Sequence, residues 1–394
     1  MSAGTTELNA QTAPTVAILF HGTLHIGGVE NHLLSLFRHM PGLGAHGQPR
    51  WLIFSAASTE FSARAGALGA RVINWTPRRA WDVAAFQRLV RLLQNHQVTV
   101  IHSHSPLAAW HGGLAGRWLH RRALVTIHLP LYDYVQSTGW LAGLKRQAYI
   151  GTEAIIEHWL ADWVIFVSAA VHREALARRV ASARSSSVVA NGIDQQALKP
   201  TQPRAALRLA LGALPGALVL CSVCRLVYQK GVDVLLAALA HLPADVSWQL
   251  WLVGDGPARG ELEAQARGLG LSARVHFLGF RSNIADLLSA SDIFVLASRA
   301  EASPLALMEA MTLGKPAVVT AVGENALLVA GNAAGLLVPP NDAAALTAAL
   351  RQLMTDDARR AELGLRACQA AAAFDDRRMA AETGAVYESL LGSR

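Results

Sequence analysis

Glu301 and Glu309, separated by seven residues in Glu301-Ala302-Ser303-Pro304-Leu305-Ala306-Leu307-Met308-Glu309, are the residues of this chain whose placement most demands a chemical explanation. Ser303 is a favourable helix N-cap, Pro304 suits the first helical position, and Gly314 with Pro316 closes the element. The spacing therefore predicts a helix over 304–313. Within it Leu305, Leu307, Met308, Ala310, Met311 and Leu313 leave no polar face, which is how a buried helix reads. Glu309 then points into a dry place, where an ionised carboxylate is costly unless donors surround it. Ligand hydroxyls are one such set of donors. A neighbouring arginine, or a helix edge facing water, accounts for the same residue without a ligand.

Arg225 and Lys230 stand five residues apart after the apolar run ALVLCSVC, with Gly231 and a helical pattern following. A guanidinium and an ammonium converging on a helix start suit a diphosphate, both as a bound group and as a leaving group. Two basic residues can equally be solvated surface. Gly27 and Gly28 precede another helical stretch and allow backbone N–H groups to approach an anion, although a tight turn explains them as well. They do not fit the dinucleotide pattern of spaced glycines and a downstream acid. Gly254-Asp255-Gly256-Pro257 ends a further strand, where the glycines leave room for a flat base or ribose; alone, the motif is only a turn. Cys221 and Cys224 lie in a strand pattern, in which positions three apart face opposite ways, so they read as structural. His102 and His104 share a strand face, but no carboxylate or third histidine visibly converges on them, and no metal is expected.

These residues need a scaffold of some size. The chain has 394 residues, enough for two or three domains, and its 52% apolar and 16% charged content describes a well-buried globular protein. Residues 1–14 read as a disordered tail without the basic and apolar regions of a signal peptide. No run of eighteen apolar residues exists, and a cytoplasmic protein is expected. Short apolar runs at 15–22, 51–56, 71–75, 98–104, 123–129 and 163–168 alternate with helical stretches. A second series, ALVLCSVC, QLWLVG, VHFLG, IFVLAS, PAVVTA and GLLVP, repeats the pattern. The fold class expected is α/β, two doubly wound parallel-sheet domains facing across a cleft. Residues 15–195 are expected to form the first domain, 196–375 the second, and 376–394 a terminal helix returning to the first domain. Pro200 and Pro203 mark a hinge at 195–205. Ligands of such sheets bind at the C-terminal ends of the strands.

Six motifs in order then carry a resemblance. Gly27-Gly28-Val29-Glu30, Asn191-Gly192-Ile193-Asp194, Arg225 to Gly231, Gly254-Asp255-Gly256-Pro257, Val275-His276-Phe277-Leu278-Gly279 and the paired glutamates together resemble glycosyltransferase family 4. The resemblance implies the GT-B fold and sugar transfer from a nucleotide diphosphate donor with retention of anomeric configuration. It implies that Arg225 and Lys230 hold the diphosphate, Glu309 accepts from the ribose hydroxyls, and Glu301 faces the transferred sugar. It further implies that the backbone from Ser303 through Pro304 to Leu305 reaches the donor. It also implies that His128 contacts the sugar from the acceptor-side domain (15–195), that Gly27 and Gly28 line the cleft, and that Gly254 is among the donor-binding residues of the nucleotide-sugar-binding domain (196–375). Three positions depart from the family pattern: Leu129-Pro130 after His128, Ala321 in place of a frequent aspartate, and Glu324 where a second glycine is common. No metal or other cofactor is implied, the nucleotide sugar being a co-substrate.

The charge is unevenly divided. Residues 1–195 hold 17 Lys and Arg against 10 Asp and Glu, whereas residues 196–394 hold 18 against 18. Arg78, Arg79, Arg117, Arg121, Arg122, Lys145 and Arg146 interleave with Trp75, Trp81, Trp118 and Trp140, a mixture suited to an anionic membrane surface rather than nucleic acid. The leading expectation is a retaining hexosyltransferase acting on a glycan or lipid-linked acceptor in cell-envelope or exopolysaccharide biosynthesis, peripheral at the inner face of the plasma membrane. An epimerase on the same scaffold needs no acceptor, and a non-catalytic binding module would have lost Glu301, Arg225 or Lys230.

Overall fold

The computed structural model describes residues 13–24, 27–134, 140–243, 246–331 and 333–392. The first sheet has seven strands, β1 Thr15–Leu24, β2 Arg50–Ala57, β3 Arg71–Ile73, β4 Val100–Ser103, β5 Arg122–Ile127, β6 Trp163–Phe166 and β7 Ser186–Val188, in the order β3-β2-β1-β4-β5-β6-β7. The second has six, β8 Leu218–Val223, β9 Trp248–Val253, β10 Val275–Gly279, β11 Ile293–Leu296, β12 Ala317–Thr320 and β13 Gly335–Val338, in the order β10-β9-β8-β11-β12-β13. Every pairing is parallel. Helices cover both faces, so the central strands need apolar residues at every position: Val16 to Leu19 and Ile293 to Val295 are fully buried. This burial is why both strand series show in the sequence as continuous apolar runs. β7 reads as none, because its Ser186 and Ser187 sit at the sheet edge.

The strand order reverses between β1 and β4 in one sheet and between β8 and β11 in the other, opening a crevice at the strand tips of each domain. The chain passes between domains twice. On the first crossing Ile193 bridges to Asp375, and a Cβ on Gly192 would overlap the Asp376 backbone, so the two crossings touch. Residues 201–202 belong firmly to the second domain, where the Thr201 and Gln202 N–H groups donate to Asp286 Oδ1. The last helix, Asp376–Gly392, packs on the first domain: Met379, Ala380, Tyr387 and Leu390 share its core with Trp51 and Leu36. Residues 1–12 of the expected tail lie outside the described residues. No described helix is long and apolar enough to cross a membrane.

Candidate active site

Lys230 reaches its place through a chain of tight backbone contacts. Gly254 has a positive φ of 128°, and a Cβ there or on Gly256 would overlap the carbonyl oxygens of Cys224 and Leu226. These glycines thus do not leave room for a base, as the sequence suggested; they let the loop after β9 lie against the loop carrying Arg225. Leu226 N–H donates to Asp255 O at 2.9 Å across that contact. Gly231, at φ 59°, turns the chain from the Tyr228–Lys230 turn into the Val232–Ala240 helix, where a Cβ would overlap Ala297 O at the tip of β11. Lys230 is therefore brought beside residues 298–301. Its Nζ donates to Glu301 Oε1 at 2.6 Å, and Ser298 Oγ donates to the same oxygen at 2.6 Å. Glu301 is only 8% exposed. Arg225 is exposed in the same loop and has no side-chain partner among the described residues.

The helix after Glu301 is Leu305–Thr312, and it begins one residue later than the spacing predicts. Pro304 occupies the N-cap position with ψ 94°, and no side chain caps the helix. Ser303 Oγ is buried without a partner among the described residues. A proline donates no N–H and its extended backbone suits the cap, so the serine is displaced outward and the first-turn N–H groups stay uncapped by any side chain. Glu309 is partly exposed on this helix, yet burial pushes its pKa up to about 7. No described residue pairs with it, so the arginine alternative does not hold.

The first domain faces this helix. The Gly28–His39 helix starts opposite it, Leu305 Cδ1 lying 4.0 Å from where a Gly28 Cβ would stand, so two helix N-termini confront one another across the crevice. Ala302 packs in the first domain's cluster with Ile127 and Phe166, beside the tip of β5 that carries His128. Glu324, a departure in the sequence, proves to be a link between domains. Its Oε1 accepts from Ser168 Oγ at 2.8 Å and Ala170 N–H at 3.2 Å, at the start of the Ala169–Ala177 helix. A Cβ on Gly323 would overlap Glu301 O, so the same loop fixes Glu301 from behind. Nothing in the sequence revealed this, because an acid after a glycine carries no sign of its distant partner.

The histidine expectation is corrected. His32 and His128 converge on His104, with one ring nitrogen of each within 4.8 Å of the others. The third histidine comes from a helix 72 positions before His104, beyond the reach of any local spacing. His102 is satisfied, with Nδ1 at 2.7 Å from Tyr387 Oη and Nε2 at 2.7 Å from Thr126 Oγ1. Cys221 and Cys224 are free thiols, raised by burial to about 12 and about 11 respectively, which suits their structural reading. Trp75 is also corrected. It is 1% exposed, with its Nε1 donating to Ala85 O at 3.0 Å, and takes no part in a surface. The Trp140 side chain lies outside the described residues.

Two family models match the chain, Glycosyltransferase Family 4 over residues 26–197 and Glycosyl transferases group 1 over residues 205–369. The D-inositol 3-phosphate glycosyltransferase of Kineococcus radiotolerans is 30% identical over 328 residues, covering 75% of this chain and 72% of that protein. The lipopolysaccharide core biosynthesis glycosyltransferase LpsE of Rhizobium meliloti is 34% identical over 148 residues, 38% of this chain and 43% of LpsE, so the match spans less than half of that relative. In three dimensions the chain is similar to Anabaena Alr3699/HepE, crystallised with UDP and glucose. The TM-score is 0.79 at 23% identity, with 95% of this chain and 100% of that one covered. Both halves of the chain, in order and on two parallel sheets facing across a crevice, match the same group of enzymes, and the protein belongs to glycosyltransferase family 4, with the GT-B fold.

Proposed function

We propose that the chain is a retaining glycosyltransferase that moves a hexose-type sugar from a nucleotide diphosphate donor to a glycan or lipid-linked acceptor in cell-envelope or exopolysaccharide biosynthesis. One observation carries the reading: Lys230 and the buried Glu301 meet at 2.6 Å beside an N-terminus without a side-chain cap, opposite a second helix N-terminus from the other domain. Such a place concentrates positive potential where a diphosphate would sit. In the reaction the bond from the anomeric carbon to the diphosphate breaks and its electron pair leaves on phosphate oxygen. The acceptor oxygen bonds to that carbon from the face the diphosphate leaves and passes its proton to the departing phosphate oxygen, so the configuration is kept. Lys230, Arg225 and the backbone N–H groups of Ser303 and Leu305, on either side of Pro304, hold the charge that develops, without a metal. Glu301 and His128 orient the sugar from the two domains, Glu309 accepts from the ribose hydroxyls, Gly27 and Gly28 line the phosphate path, and Gly254 holds the loop of Arg225. The similarity to LpsE, a lipopolysaccharide core biosynthesis glycosyltransferase, and to HepE, crystallised with UDP and glucose, supports envelope polysaccharide as the setting and a uridine nucleotide as the first donor to test.

Calorimetry with UDP, GDP and ADP tests the donor site, with a marked loss of affinity expected in Arg225→Ala, Lys230→Ala. Undiminished affinity would mean that the site is elsewhere. NMR of the initial product tests the reaction, which is expected to keep the donor's anomeric configuration and to proceed in EDTA. Inversion, or strict need for a divalent ion, sinks the reading.

A further inference from the structure

His32 lies on the Gly28–His39 helix, His104 follows β4, and His128 follows β5, so three separate elements bring them together. His32 Nδ1 donates to Asn191 Oδ1 at 2.9 Å, which fixes the tautomer and leaves Nε2 as a lone pair. That nitrogen is buried with no partner among the described residues, and Nε2 of His104 is in the same condition. His104 Nδ1 and His128 Nε2 lie 2.9 Å apart and share one proton. Burial lowers the pKa of His32 to about 4 and that of His104 and His128 well below the usual value, so all three rings are neutral. Neutral imidazole is the ligating form. His102, against His104 with ring centroids 4.1 Å apart, has both nitrogens bonded and acts as a wall.

Buried polar atoms without partners are uncommon and unfavourable, and here two belong to adjoining rings. We propose that His32, His104 and His128 form a site for one divalent transition metal of the zinc class. Three neutral imidazoles suit zinc, cobalt or nickel, and a set without a carboxylate does not suit calcium or magnesium. Ring nitrogens bound to one zinc stand roughly 3.4 Å apart, from a metal–nitrogen distance of about 2.1 Å, so small ring rotations complete the triangle. Asn191 supplies the outer hydrogen bond that orients a ligating histidine. Water or a ligand oxygen fills the fourth position. The metal has no part in holding the diphosphate, which is assigned to Arg225, Lys230 and the helix N-termini.

Chelator-treated full-length protein is titrated with zinc by calorimetry and with cobalt in the visible spectrum. One tightly bound metal per chain is expected, with the intense absorption of tetrahedral cobalt. Zinc affinity should fall at least ~100-fold in His32→Ala and in His104→Ala, about tenfold or more in Asn191→Ala, and remain in His241→Ala at an exposed histidine. Zinc-edge anomalous density between the three rings of the unsubstituted protein is the arm that needs no variant to fold. Absence of that density after zinc soaking, or affinity undiminished in the His32 and His104 variants, overturns the site. Affinity for UDP is read in parallel with and without EDTA and should not change, so failure of the metal site and failure of the donor site remain distinguishable.

Discussion

One oxygen of Glu301 receives both Lys230 and Ser298, in a place almost closed to water, and this sets what a substitution there must do. Lys230→Met leaves a buried carboxylate with one neutral donor, a change expected to destabilise the fold by about 3 kcal/mol. Adding Glu301→Gln removes the stranded charge and should recover most of the loss in urea unfolding; additive losses would show that the pair is not coupled. Glu309 behaves oppositely, being an acid already raised to about 7 without a partner. Its folded pKa exceeds the ordinary value of 4.5, so its contribution is complete below about 4.5 and is lost as pH rises through about 7. Glu309→Gln should therefore raise the melting temperature of the ligand-free protein at pH 8 and leave it little changed at pH 5. On the proposed ribose contact, donor affinity falls up to tenfold per pH unit below about 7 in the parent protein, and the Gln variant loses that slope. A donor affinity with the same pH profile in both proteins would remove Glu309 from the site. The paired glutamates could be found in the sequence because Glu309 is an acid in an otherwise apolar helix, a local contradiction, and Glu301 stands at a fixed spacing just before that helix. Glu324 and His32 could not, because each has meaning only through a partner on another element.

The elements were legible where both faces are buried and obscure where backbone contacts decide. Strands β1 and β8 through β12 announce themselves as apolar runs, whereas the serine-rich β7 has only its position beside β6 to make it a strand. The start of the Leu305–Thr312 helix was misplaced by one residue, since propensity favours Ser303 as the cap and the tertiary setting buries its hydroxyl instead. Glycines gave their presence but not their purpose. Gly323, at φ 51°, has its missing Cβ directed at Glu301 O, so Gly323→Ala meets both backbone strain and a clash that only movement of the Glu301 loop relieves. Loss of donor affinity together with a drop in stability of about 2 kcal/mol or more is expected. Glu324→Gln, which keeps the shape of the link to Ser168 and Ala170 but removes its charge, should be much milder. If Gly323→Ala bound donor normally, the loop could not be what fixes Glu301.

At the scale of the molecule, the excess charge of +7 belongs to the first domain, and the structure shows where part of it meets exposed apolar surface. Trp81, Trp118 and Trp159 are each 72% exposed, and Leu141 and Leu144 are 62% exposed on the Trp140–Ile155 helix. Arg117 Nε donates to Trp159 O at 2.9 Å, tying the Pro106–Leu119 helix to the turn over Ile156–Leu160, and Arg79 lies over the Trp81 ring at 5.9 Å. Lys145 and Arg146 stand exposed beside Leu144. Three outward tryptophans among arginines are unfavourable in water alone but suit the headgroup level of a bilayer, where ring and cation are both accommodated. Each basic residue near an anionic surface contributes about 1 kcal/mol, so four or five acting together suffice for reversible docking. Vesicles containing phosphatidylserine should therefore carry the protein down on sedimentation at low salt and release most of it at high salt, as the screening length contracts. Trp118→Ser, Trp159→Ser should weaken binding at both salt concentrations, since it removes apolar insertion and leaves the charge, whereas Lys145→Gln, Arg146→Gln should matter chiefly at low salt. Binding to neutral vesicles should be slight throughout. Equal and negligible binding to both kinds of vesicle would return these tryptophans to another partner and favour a soluble acceptor. Docking of the first domain alone would hold the crevice, and the second domain with its donor, at a fixed height above the lipid from which an acceptor could be drawn.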